Sequence, residues 1–180
     1  FNSAFNALTG NHLDLYPEAL RPTIDALNER IYPAINNGVY RAGFATSQEA
    51  YETAFDEVFN ELDHLEQLLS GQRYLAGEYL TEADVRLFTT LVRFDAVYHG
   101  HFKCNLRRLS DYPNLSNWLR ELYQWPGVAE TVNMEHIQKH YYLSHKTINP
   151  NGIVPKGPLQ DFNAAHDRQR LPGKGIWQGA

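Results

Sequence analysis

Cysteine is almost missing from this sequence: Cys104 stands alone among 180 residues. An internal disulfide and a cysteine-based zinc knuckle are both excluded, and the scarcity suits a reducing, cytoplasmic setting. Positive charge is in deficit as well. Sixteen Lys and Arg against 21 Asp and Glu leave a net charge of -5, so nothing electrostatic favours nucleic acid or an anionic membrane. No apolar run approaches the roughly 18 residues of a membrane-spanning helix, and no stretch alternates long enough to mark a useful β-strand. A leading Met is also lacking. Phe1-Asn-Ser-Ala-Phe5 is neither an initiator nor a secretory signal, and the chain reads as a piece of a longer protein.

What is present is helical periodicity and aromatic side chains. A turn-rich approach over residues 1–16 leads to a helix that Pro17 or Pro22 can start, because proline fits the first turn. Ile24, Leu27, Ile31 and Ile35 recur at steps of three and four, with Pro33 expected to kink the run and Asn36-Asn37-Gly38 expected to break it. Thr46 and Glu49 form a capping-box pattern before Tyr51, Ala54, Phe55, Val58, Leu62, Leu65 and Leu69, and Gly71 ends that helix. Thr81 and Asp84 form a second box, bracketed by Leu80 and Val85 at the positions of a hydrophobic staple. Leu87, Phe88, Leu91, Val92 and Phe94 then give a broad apolar face, the mark of a central buried helix.

Two shorter helical patterns follow, through Leu115, Trp118, Leu119 and Leu122 and through Val128, Val132 and Ile137. The fold class is all-α. Residues 1–147 form one helical domain, and 148–180 an extended tail. The apolar Ile153, Val154, Phe162, Ile176 and Trp177 imply that this tail packs on the domain or on an interface.

Several groups invite chemistry. Tyr40 stands just past the expected helix break, next to Arg41, where a phenol can face a cleft and both donate and accept a hydrogen bond. Of the adjacent Tyr141 and Tyr142 only one can face a given pocket, since neighbours on a helix are turned by about 100°. Arg86, on the central helix, must be paired if buried. His99-x-His101 and His136-x-x-x-His140 put imidazoles near one another, but no His-Glu-x-x-His pattern exists and no metal is expected. Cys104 has Lys103, Arg107 and Arg108 near it in sequence, and its simplest reading is a packed thiol. The 11 Tyr, 9 Phe and 3 Trp are enough to fill a core and to line a cleft for a planar ligand.

The segment Tyr74-Leu-Ala-Gly77, followed by Thr81-x-x-Asp84, resembles the C-terminal helical domain of glutathione transferases. Four further motifs occur in order. They are Asn36-Asn-Gly-Val-Tyr-Arg-Ala-Gly-Phe44, His99-Gly-His-Phe-Lys-Cys-Asn105, His136-Ile-Gln-Lys-His-Tyr-Tyr-x-Ser-His145 and Ile148-Asn-Pro-x-x-Ile-Val-Pro-x-Gly-Pro158. Together they resemble the glutathionyl-hydroquinone reductases, the xi-class branch of those transferases.

The resemblance implies a transferase-like helical bundle with an extended tail, serving as the substrate-binding half of a two-domain enzyme. A thioredoxin-like domain, absent from this sequence, would bind glutathione and carry a nucleophilic cysteine. The reaction implied removes glutathione from a glutathionyl-hydroquinone, with glutathione and an aromatic quinol as its small-molecule partners and a homodimer as its assembly. Tyr40 and Tyr141 are implied as catalytic residues, with Arg41 and His99 completing the substrate-binding set, and Thr81 and Asp84 as folding residues. Two alternatives stay open: a non-catalytic transferase-like binding or assembly module, and a conventional conjugating transferase.

Overall fold

In the computed structural model, which describes residues 2–178, the helices pack around one core formed by every long apolar stripe of the sequence. Phe1 and the last two residues of the expected tail lie outside the described residues. A single helical turn, α1 (Asn6–Thr9), interrupts the N-terminal approach. Pro17 precedes a 3-10 turn, Glu18–Leu20, which leads into α2 (Arg21–Ile31) with Pro22 in its first turn.

The expected break at Asn36-Asn37-Gly38 does not occur. Pro33 has no amide proton to give, and the chain accommodates this by widening into a π-turn at Tyr32–Asn36. It then continues as α3 (Gly38–Gly43). Tyr40 therefore sits in the middle of a short helix rather than beyond one.

Helix α4 (Gln48–Gly71) is the longest. Its N-cap is Ser47, whose hydroxyl accepts from the Ala50 amide at 3.2 Å, so the expected Thr46 box is displaced by one residue. Ala54, Val58, Leu62, Leu65 and Leu69 are at most 1% exposed, and full burial of such side chains contributes about 1.5–3 kcal/mol each. Helix α3 packs closely on α4. A Cβ on Gly38 would meet the Val58 side chain at 2.9 Å, and one on Gly43 would strike the Phe102 ring.

Helix α5 (Glu82–Leu91) opens on the Thr81–Asp84 box and lies at the centre. The Asp84 carboxylate is fully buried and accepts from the amides of Thr81 (3.0 Å) and Leu75 (2.9 Å) and from the Trp118 indole (3.0 Å). Of the staple pair, Leu80 is buried but Val85 is 41% exposed. Arg86 is not buried. It lies at the surface beside Glu82 at 3.7 Å and over the Tyr32 ring.

A second π-turn, Phe94–Tyr98, and the short α6 (His99–His101) carry the chain past the core. Helix α7 (Pro113–Tyr123) starts where Glu66 of α4 accepts from the Asn114 and Leu115 amides at 2.9 and 2.8 Å. The last helical pattern of the sequence divides into a 3-10 turn, Ala129–Thr131, and α8 (Met134–Ser144).

Ring packing, buried hydrogen bonds and a short strand hold the tail to the domain. Phe162 packs on Tyr123, and Trp177 packs on Tyr79 and bridges to Asp14. Arg168 is completely buried and donates to the carbonyls of Leu69 (2.7 Å), Gln72 (2.5 Å) and Arg73 (2.7 Å) at the end of α4. Ile153, expected to pack, is 69% exposed. Among the described residues the one sheet is a parallel pair, β1 (Tyr79–Leu80) with β2 (Gly175–Ile176). No helix among the described residues is long and apolar enough to cross a membrane.

Candidate active site

Tyr40 from α3, Tyr98 from the second π-turn and Tyr141 from α8 bring three phenols to one point. The Tyr40 and Tyr141 hydroxyls share a hydrogen bond, and the Tyr98 and Tyr141 hydroxyls share another at 2.9 Å. Exposure grades outward along this chain: Tyr98 is 2% exposed, Tyr141 5% and Tyr40 36%. Phe102 lies beneath, stacked on Tyr98 with ring centroids 5.5 Å apart and 5.3 Å from the Tyr40 ring. Phe44, half-exposed, packs on Phe102 and on His145. The result is an apolar, aromatic floor with a single chain of hydroxyls reaching the surface at Tyr40.

Burial dominates the electrostatics. It pushes the Tyr98 phenol far above the ordinary tyrosine range, and the hydrogen bond to Tyr141 adds to the push. Tyr141 is pushed up to about 12, first by burial and next by its bond to Tyr40, while the bond from Tyr98 works the other way. Both phenols are therefore protonated at neutral pH and serve as hydrogen-bond donors.

Beside the phenols, His101 Nε2 and His145 Nδ1 lie 3.1 Å apart. Burial, then His145, lowers His101 to about 4, and burial also lowers His145. At neutral pH the pair is uncharged and shares one N–H.

The residues expected from the sequence divide into two groups. Tyr40 and Tyr141 meet. Tyr142 instead packs on His101 at 4.5 Å between ring centroids. Arg41 turns away from the phenols, where it pairs with Glu57 and donates to the Pro33 carbonyl at 3.0 Å, tying α3 to α4. Among the described residues His99 joins none of the ring contacts around Tyr40 and Tyr141; it lies near Asp95, whose carboxylate accepts from the Leu109 and Ser110 amides.

Cys104 is fully buried, and burial pushes its thiol up to about 12, which leaves no nucleophile there. Among the described residues no group of three His, Cys, Asp or Glu side chains is arranged to hold a metal ion. Tyr98, Phe102 and the His101–His145 pair were not singled out by sequence. The signal for the first two was the spacing Phe94, Tyr98, Phe102 at successive steps of four, which reads equally well as core.

Comparison with known proteins gives a consistent result. Residues 48–121 match the glutathione S-transferase C-terminal domain family. The chain is 60% identical over 168 residues to the glutathionyl-hydroquinone reductase YqjG of Escherichia coli, covering 93% of this chain and 51% of that protein. It is 58% identical to the glutathionyl-hydroquinone reductase PcpF of Sphingobium chlorophenolicum, covering 88% of this chain and 51% of that protein. The chain thus spans about half the length of these curated relatives.

Among solved structures, the glutathione-bound YqjG of E. coli K-12 superposes with a TM-score of 0.92 at 59% identity, over 93% of this chain and 55% of that one. A xi-class transferase from Natrialba magadii superposes with a TM-score of 0.93 at 51% identity, over 96% of this chain and 54% of that one. Over the half of these proteins that it spans, the chain is similar to the xi-class glutathione transferases.

Proposed function

We propose that this chain is the substrate-binding helical half of a glutathione-dependent reductase that frees hydroquinones from their glutathionyl conjugates. The linked hydroxyls of Tyr40 and Tyr141, opening to the surface over an aromatic floor, carry the reading. A planar phenolic ring fits such a floor, and its oxygens need donors at the rim. The names of two relatives near 60% identity support the substrate class.

In this reading, which follows the family resemblance, the nucleophile is supplied by a thioredoxin-like domain outside this chain. There a cysteine thiolate attacks the glutathione sulfur. The new S–S bond forms as the C–S bond breaks. In the keto tautomer of the ring the sulfur-bearing carbon lies α to a carbonyl, so the electron pair passes to that oxygen as an enolate. Tyr40, backed by the Tyr141 hydroxyl, holds the ring by this oxygen, donates to it as charge grows there, and passes it a proton to give the hydroquinone. A second glutathione then attacks the mixed disulfide and leaves with the first as oxidised glutathione.

An apolar cleft of about 250 Å³ supports the two-part arrangement. Leu15, Leu80, Val85, Phe88 and Trp125 line it, and Asn2 binds the Leu15 amide at its edge.

The test is to measure hydroquinone release from a glutathionyl-hydroquinone by this chain and by the full-length protein with and without its upstream cysteine. Release only by the full-length protein with the cysteine intact is expected. Turnover by this chain alone would defeat the proposal, as would unchanged turnover after the upstream Cys→Ser change. Steady conjugation of a chlorinated arene by the cysteine-free protein would point to an ordinary transferase instead.

A further inference from the structure

Three phenols need three places for their protons, and burial decides where each goes. Tyr98 is 2% exposed, and its hydroxyl bonds the Tyr141 hydroxyl at 2.9 Å, with the Tyr40 hydroxyl, farther out, the other oxygen close to it. An unpaired buried O–H donor costs about 1–3 kcal/mol, so Tyr98 gives its proton to Tyr141. The Tyr141 oxygen then accepts from Tyr98, and its own proton has one remaining partner, the Tyr40 oxygen. Tyr40 in turn accepts from inside, so its proton points outward from a ring that is 36% exposed.

We propose that Tyr98 is a positioning residue: by donating inward-to-outward along Tyr98, Tyr141 and Tyr40 it fixes Tyr40 as an outward hydrogen-bond donor, and so selects a ligand oxygen that carries negative charge. This rests on the functional reading above for the identity of the ligand, but not for the polarity of the chain. The opposing effects of Tyr98 and Tyr40 on Tyr141 agree with that polarity, since the first favours the ionised Tyr141 and the second disfavours it.

The packing shows why the device is stable. Tyr98 is wedged between Phe94 and Phe102, with ring centroids 6.3 and 5.5 Å away, which holds the phenol in one orientation. Each hydrogen bond in such a chain polarises the next, so the outermost donor is strengthened by those behind it. No proton leaves Tyr98 in this scheme. Its role is to hold the Tyr141 oxygen as an acceptor on the buried side, so that the Tyr141 proton lies on the Tyr40 side and is polarised toward it.

Tyr98→Phe in the full-length protein removes the hydroxyl and keeps the ring. Two readouts separate polarity from packing. The first is kcat against KM for a glutathionyl-hydroquinone, where a fall in kcat of about 3- to 10-fold with KM little changed is expected, the scale of one hydrogen bond. The second is binding of 4-nitrophenolate against 4-nitroanisole, which share a ring but not an oxyanion. Tyr98→Phe should weaken the phenolate by a similar factor and leave the anisole unchanged.

Equal weakening of both ligands would make Tyr98 a packing residue and overturn the proposal. So would wild-type protein that binds the phenolate no better than the anisole, because no donor would then point outward. If the wild type fails to turn over any glutathionyl-hydroquinone, the functional reading falls. The phenolate–anisole comparison still decides the role of Tyr98.

Discussion

The hydroxyls of Tyr40 and Tyr141 are hydrogen-bonded to each other across 101 residues of sequence. Neither helix that carries them is long. Helix α3 is seated by two glycines that let it lie close against Val58 and Phe102, and α8 is anchored by Ile137 in the core. Packing at a distance from the phenols therefore sets the geometry at their tips.

That bond makes the two tyrosines unequal in stability. Tyr40→Phe should lower turnover of a glutathionyl-hydroquinone while moving the unfolding free energy by less than about 1 kcal/mol, as expected at a half-exposed site. Tyr141→Phe should lower turnover too, but it also leaves the buried Tyr98 hydroxyl without its partner, which costs about 1–3 kcal/mol. Urea titration of the two variants measures the difference. Equal stabilities would mean that Tyr98 finds another acceptor.

Asp84 gives a pH dependence of unusual sign. Burial raises its carboxyl from the ordinary carboxylate range to about 6, even though amides of Leu75 and Thr81 and the Trp118 indole donate to it. The folded state therefore holds its proton more tightly than the unfolded state. The stability that Asp84 contributes is fully present below about pH 4 and is lost as pH rises through about 6, on the order of 2–3 kcal/mol in all. Thermal midpoints of the wild type minus those of Asp84→Asn should shrink between pH 4 and 7. A difference that grows with pH would show the carboxylate to be the favoured form.

Arg168 closes the C-terminal end of α4. Its guanidinium donates to three carbonyls that have no helical partner of their own, and its charge complements the negative end of the helix. Arg168→Ala should cost about 3 kcal/mol and release the tail, seen as faster proteolysis between residues 150 and 178. Arg168→Lys should rescue little, because an ammonium lacks the planar fork that reaches all three. Full rescue by Lys would mean that charge alone holds the tail.

Cys104 should be silent. With the thiol fully buried and pushed up to about 12, thiolate is scarce at pH 8. An aromatic disulfide reagent should modify it only after unfolding. Stoichiometric reaction of the native protein within minutes would return Cys104 to the chemistry.

The helices were legible because each carries its signal locally. The three- and four-residue spacing of Val58, Leu62, Leu65 and Leu69 marks a buried face wherever it occurs, and Thr81 with Asp84 marks a helix start within four residues. The errors came where a local signal had a tertiary answer. Asn36-Asn37-Gly38 read as a break, yet packing against α4 and α5 keeps the chain helical beyond the π-turn that Pro33 imposes. Arg86 read as buried because its helix is central, but it occupies the solvent side of that helix.

The site follows the same division. The motif around Tyr40 and the motif around Tyr141 each pointed to a phenol with a role. Arg41 and His99 were drawn in by adjacency, and helical rotation sends their side chains elsewhere. Tyr98 and Arg168 carried no distinguishing signal. A tyrosine spaced like core and an arginine in a tail become special only through what lies opposite them.

Sequence by itself determined the helices, the Thr81–Asp84 cap and the resemblance to a family, because periodicity, capping and motif order are properties of neighbouring residues. Only the tertiary structure decided that three phenols would share two hydrogen bonds, that the buried one would orient the others, and that a tail arginine would seal the longest helix. Those relationships join residues 43 to 101 positions apart, and their energies arise from burial and geometry that exist only once the chain has packed.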